Sequence, residues 1–167
     1  TFDIRMKKHY ENALKLAAWL STNKEVAWVN YPGLKTSKYN DLAQKYLPKG
    51  QSGIITFGLK KGFEGGKVVA DKTKLFALLA NIGDTKSLII HPASTTHQQL
   101  DEEAQKATGV TPDLIRLSVG LEDVNDLIEY FREILQPAWN ELGGEDALVN
   151  ILQPEHMDEH MKSSSDW

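Results

Sequence analysis

The stretch 114–119, Leu-Ile-Arg-Leu-Ser-Val, restricts the fold more than any other part of the chain. Its alternation suits an extended strand: Ile115, Leu117 and Val119 fall on one face, and Leu114, Arg116 and Ser118 on the other. The first face asks for an apolar layer to cover it. The second holds a guanidinium, a planar fork suited to gripping a carboxylate with two parallel bonds. A simpler role for Arg116 is to sit on the wet side of a half-covered sheet, as most arginines do.

Three more short runs read as strands, 26–31, 53–59 and 87–91, bounded by Pro32-Gly33, a glycine-bearing turn at 61–66 and Pro92. Between them lie helical periods. Met6, Tyr10, Ala13, Leu14, Ala17 and Leu20 repeat at three- and four-residue steps, and Tyr39, Leu42, Ala43 and Tyr46 do the same. A third helix would bury Val68, Val69, Leu75, Phe76 and Leu79. For the fourth, Thr96 with Gln99 three residues on forms a capping-box pattern, and Gly109 stands where a C′ glycine belongs. The fifth lines up Val124, Leu127, Ile128, Phe131, Ile134 and Leu135, with Asp123 and Asp126 near its positive end and Pro137 expected to end or kink it. Four strands among five helices fit either a parallel α/β sheet or an α+β layer with helices on one face. Periodicity does not choose between them.

With 167 residues, 41% hydrophobic and 25% charged, the chain suits one soluble domain. A net charge of -4 leaves no basic field for nucleic acid. There is no cysteine, which removes disulfides and thiolate chemistry and fits a reducing compartment. Apolar runs such as 75–82 fall far short of a membrane span. Residues 1–10 carry Asp3, Arg5, Lys7 and Lys8 and do not read as a signal peptide, while an opening Thr1 suggests part of a longer protein. The expected domain is 1–142, followed by a polar, acidic, flexible tail at 143–167.

Other candidate chemistry is sparse. His91 and His97 are six apart across a loop, a spacing that fits no standard metal site, and a structural loop is the better account. His156 and His160 share a helical face, but Met157 stands where the zinc-protease pattern needs Glu. Glycines at 58, 62, 65 and 66 match neither the dinucleotide fingerprint nor the phosphate loop. No nucleophile-elbow pattern is present.

Three segments, KYLPKGQSGIITFGLKKG (45–62), KSLIIHPASTTHQQL (86–100) and GVTPDLIRLSVGLED (109–123), resemble the pyridoxal-phosphate enzymes that act on cystathionine, methionine and acylated homoserine. The similarity runs from about Arg5 to Pro137. ANIGDTKSLIIHPASTTH (80–97) is similar to the O-acetylhomoserine sulfhydrylase branch, since the cystathionine enzymes usually carry an acidic residue where this chain has Lys86. Lys61 stands where relatives usually have glycine.

The resemblance implies an α+β fold: a small, mainly antiparallel four-stranded sheet with helices packed on one face. It implies γ-replacement, in which acetate leaves O-acetylhomoserine and sulfide or methanethiol adds, with pyridoxal phosphate as electron sink. Arg116 is then the grip on the substrate α-carboxylate and Ser87 a second lining residue of that pocket. The catalytic lysine, the other cofactor-binding residues and the cofactor itself belong to the family's large domain, so this chain alone is expected to be inactive and to hold neither cofactor nor metal. Lys72 and Lys74 lack the serine that accompanies a catalytic lysine and read as surface charges. A cytoplasmic homo-oligomer, a tetramer in the family, completes the expectation. Two alternatives stay open: a methionine γ-lyase or cystathionine γ-synthase domain, and a non-catalytic binding module.

Overall fold

The computed structural model describes residues 1–141, so the expected tail and the pair His156 and His160 lie outside them. Strand β5 (Leu114–Ser118) is the central strand of a five-stranded sheet. Its companions are β1 (Val26–Asn30), β2 (Ile54–Leu59), β3 (Ala77–Leu78) and β4 (Leu88–Ile90), in the order β1-β2-β5-β4-β3. The pairs β1–β2, β2–β5 and β4–β5 are antiparallel, while β3 runs parallel to β4. The fold is α+β, and the expected four antiparallel strands become five in a mixed sheet. The extra strand is two residues long, too short to show a period, and lies in what reads as a helical stripe.

The described residues also form six helical segments: α1 (Phe2–Leu20), α2 (Asn40–Tyr46), α3 (Gly62–Asp71), a 3-10 turn at Pro92–Ser94, α4 (Glu102–Ala107) and α5 (Val124–Glu141). Ala13, Leu16, Ala17 and Leu20 of α1, Val69 of α3, and Leu127, Phe131 and Leu135 of α5 pack onto Ile55, Phe57, Ile89, Ile115 and Leu117 of the sheet. These sheet residues share one face by register, so α1, α3 and α5 cover a single side. Phe131 meets the ring of Phe57 edge-on at 5.9 Å and that of Phe76 at 5.0 Å. Fully burying one such side chain contributes roughly 1.5–3 kcal/mol.

Several boundaries differ from the sequence reading. The glycine-bearing segment at 61–66 forms the first turn of α3, and Gly62 rather than Lys61 takes the left-handed conformation, with φ +58 against -83. A lysine at 61 is therefore unstrained. Helix α4 starts later than Thr96: Asp101 is its N-cap, its carboxylate accepting from Ala104 N at 2.8 Å. Gly109, at φ +80, does close that helix. Helix α5 continues beyond Pro137 to Glu141. On α1 the buried face takes in Leu16 together with two polar residues, His9 and Asn12.

Candidate functional site

On the face of β5 away from the three covering helices, the ladder sets Asn30, Thr56, Arg116 and Ile90 in one row across four strands. Directly opposed residues share a face with Cβ atoms about 5 Å apart. Asn30 is exposed, Thr56 and Arg116 are half-buried and Ile90 is buried, so the guanidinium sits where the row passes from solvent to interior. In the next row Trp28 opposes Gly58, which opposes Leu114. Trp28 Nε1 donates to Asp113 Oδ2 at 2.7 Å. The path is open because residue 58 has no side chain: a Cβ there would stand 2.0 Å from that oxygen.

The connection 79–87 passes over this face on its way from β3 to β4. Arg116 Nη2 donates to the Asn81 carbonyl at 3.3 Å, and Gly83 N donates to Ser118 Oγ at 3.4 Å. Gly83 is left-handed at φ +73, and its carbonyl accepts from Arg5 Nη2 of α1. Leu121 N donates to the Thr85 carbonyl at 2.9 Å. No carboxylate pairs with Arg116 among the described residues. One backbone contact leaves the remaining N–H donors of its guanidinium available to a ligand.

Ser87, the second expected site residue, lies one residue before β4 and is fully buried. Its hydroxyl donates to Glu122 Oε2 at 2.8 Å and accepts from Gly120 N at 2.7 Å, while Ser87 N donates to Glu122 Oε1 at 2.7 Å. The structure thus brings Arg116 to a partly open face and places Ser87 inside a clamp that ties β4 to the segment after β5. Sequence reasoning passed over Asn81, Trp28 and Asp113, because each enters the site through a long-range contact.

His91 is likewise buried. Its Nε2 donates to the Pro112 carbonyl at 2.7 Å, and its Nδ1 accepts from the Ser94 hydroxyl at 2.8 Å. Burial lowers its pKa, opposed by the Pro112 hydrogen bond and by Asp113, Asp71 and Glu64. With both ring nitrogens engaged it has no position for a metal, and the described residues contain no group of three or more side chains arranged to hold one.

The sequence pattern of the Cys/Met metabolism PLP-dependent enzymes matches residues 1–136. The chain belongs to that family. Relatives of this Cys/Met-family chain include an O-acetyl-L-homoserine sulfhydrylase of Thermus thermophilus, 50% identical over 135 residues, and a homocysteine synthase of Schizosaccharomyces pombe, 44% identical over 138. The matches cover 81% and 83% of this chain, and 32% of each relative. The chain spans about a third of the length of the curated relatives it matches. Among solved structures, an O-acetylhomoserine (thiol)-lyase from Campylobacter jejuni, which carries a pyridoxyl-lysine monophosphate, superposes with TM-score 0.74 at 45% identity, covering 80% of this chain and 32% of its own. Yeast cystathionine gamma-lyase superposes with TM-score 0.75 at 39% identity, covering 81% and 35%.

Among the described residues no lysine has a desolvated setting for the family's cofactor. Burial is one way to make a lysine nucleophilic enough to form an aldimine, and no described lysine of this Cys/Met-family chain is buried. What the described residues offer is a half-buried guanidinium at Arg116 with donors left over after its bond to the Asn81 carbonyl.

Proposed function

We propose that this chain is the substrate-carboxylate-binding domain of an O-acetylhomoserine sulfhydrylase, which replaces the acetate of O-acetylhomoserine with sulfide or methanethiol. The observation that carries the reading is the half-buried guanidinium of Arg116, held by the Asn81 carbonyl and paired with no carboxylate among the described residues. The names of the relatives support the reaction. Arg116 would present its two terminal nitrogens to the α-carboxylate, with the Asn81–Gly83 turn as one wall and Thr56 as its neighbour across the ladder. This orients the amino acid by one end and leaves the other end for chemistry supplied by the pyridoxal-phosphate domain. Ser87, engaged by Glu122 and Gly120, braces the pocket through the backbone it pins. We also place the assembled enzyme in the cytoplasm as a homo-oligomer, as the resemblance implies. No helix among the described residues is long and apolar enough to cross a membrane.

Steady-state kinetics on O-acetyl-L-homoserine test the assignment in the enzyme where this chain is joined to its cofactor domain. Arg116→Lys keeps the charge and loses the fork. It should cost roughly 2–4 kcal/mol in kcat/KM, because a charged hydrogen-bonding partner is left imperfectly paired. The melting temperature should hardly move, since the core face of β5 is untouched. Near-normal kcat/KM, or a loss that only mirrors unfolding, would return Arg116 to a solvated arginine.

A further inference from the structure

Two guanidiniums act on the connection 79–87: Arg116 donates to the Asn81 carbonyl and Arg5 to the Gly83 carbonyl two residues on. We propose that Arg5 is a positioning residue for Arg116, fixing the Asn81–Gly83 turn on which the Arg116 fork is aimed. The inference rests on the reading of Arg116 as the carboxylate grip.

Arg5 lies on a polar stripe of α1 with His9 and Asn12, at helical steps of four and three that share one face. His9 Nδ1 donates to the Val119 carbonyl at 2.5 Å, and Asn12 Nδ2 donates to the carbonyls of Gly120 and Glu122 at 3.0 and 2.8 Å. These bonds lock α1 in register with the segment that follows β5. Arg5, one turn before His9, carries the same frame to the connection. The other bonds that hold the turn to β5 are long, 3.4 Å from Gly83 N to Ser118 Oγ and 3.3 Å from Arg116 itself. A charged donor brought from a separate element is the stronger restraint.

The chemistry of Arg5 also exceeds what packing needs. Its Nε is buried without an acceptor, a penalty that a methionine of similar length would not incur. No ion pair compensates the charge among the described residues. An arginine at this place makes sense if the Gly83 carbonyl has to be held.

The test is ¹⁵N NMR on the 167-residue chain, following the Arg116 Nε–H signal and the amides of Asn81, Gly83 and Asp84, with O-acetyl-L-homoserine as the titrant. In Arg5→Met we expect the Arg116 signal and the turn amides to shift and broaden, and the affinity for the titrant to fall about tenfold. Arg5→Lys, which can still donate to Gly83, should recover most of both. Unchanged Arg116 and turn signals in Arg5→Met overturn the inference, whatever happens to stability. So does an unchanged affinity. If Arg5→Met does not fold, Arg5→Lys decides: wild-type turn signals uphold the inference, and turn signals lost from an otherwise intact spectrum overturn it. If the wild-type chain shows no response at Arg116 that O-acetyl-L-homoserine methyl ester fails to reproduce, the carboxylate reading itself fails. The turn signals then still decide the part played by Arg5.

Discussion

A methyl group placed on Gly58 would stand 2.0 Å from Asp113 Oδ2 and 2.1 Å from Trp28 Nε1. Neither group has freedom to retreat, since the carboxylate is buried and the indole is rigid. Gly58→Ala should therefore break the Trp28–Asp113 bond and cost about 1–3 kcal/mol, the usual range for an overpacked site. A lower melting temperature with a changed near-ultraviolet signal from Trp28 would show it, and an unchanged melt would mean that the strand yields. His91 gives a pH-dependent counterpart. Its folded pKa lies below the ordinary value near 6.5, so in acid the unfolded chain takes up a proton that the folded chain resists. Its contribution is complete above about pH 6.5 and is lost as the pH falls through that value towards the folded pKa. Denaturant titrations from pH 7 to 5 should fall less steeply in His91→Gln than in the parent. Equal slopes would assign the acid sensitivity to other groups.

At the scale of elements, α4 shows how a sequence signal can name the right helix and the wrong start. Thr96 and Gln99 satisfy the capping pattern, yet they lie in the turns after Pro92–Ser94, and Asp101 performs the capping. Asp101→Ala should destabilise the protein by about 1 kcal/mol, read from chemical denaturation, while Thr96→Ala should change it little. The core-facing stripe of α5 and the two faces of β5 were legible, because helical and strand periods follow from covalent geometry alone. Strand β3 was not, since two residues carry no period and its pairing with β4 is decided at long range. The polar stripe of α1 was hidden for another reason. The helical period of α1 rests on its apolar residues, and what engages arginine, histidine and asparagine at 5, 9 and 12 is backbone carbonyls whose positions no pattern in the sequence announces. The candidate site was half legible: the strand pattern places Arg116 on the face away from the core, its carboxylate role comes from the resemblance alone, and Asn81 and Trp28 arrive through the fold.

Across the whole molecule, β5 is hydrogen-bonded to neighbours on both sides and packed under α1, α3 and α5, while β3 is a two-residue edge. Native-state hydrogen exchange should follow that gradient. The ladder amides of β5 should exchange only through global unfolding, and those around Ala77–Leu78 through smaller local openings. Comparable protection at both places would show that the edge is held by more than its short pairing. Parallel neighbours usually need a connection of about a dozen residues or more, often a helix. Here the stretch 79–87 makes the link and carries Asn81 and Gly83 across the face that holds Arg116. If Arg116 grips a carboxylate as proposed, anchor and wall sit on parts of the chain that can vary separately. Changes in the length or composition of one surface link could then alter which ligand is admitted, while the proposed anion grip stays on the strand paired on both sides.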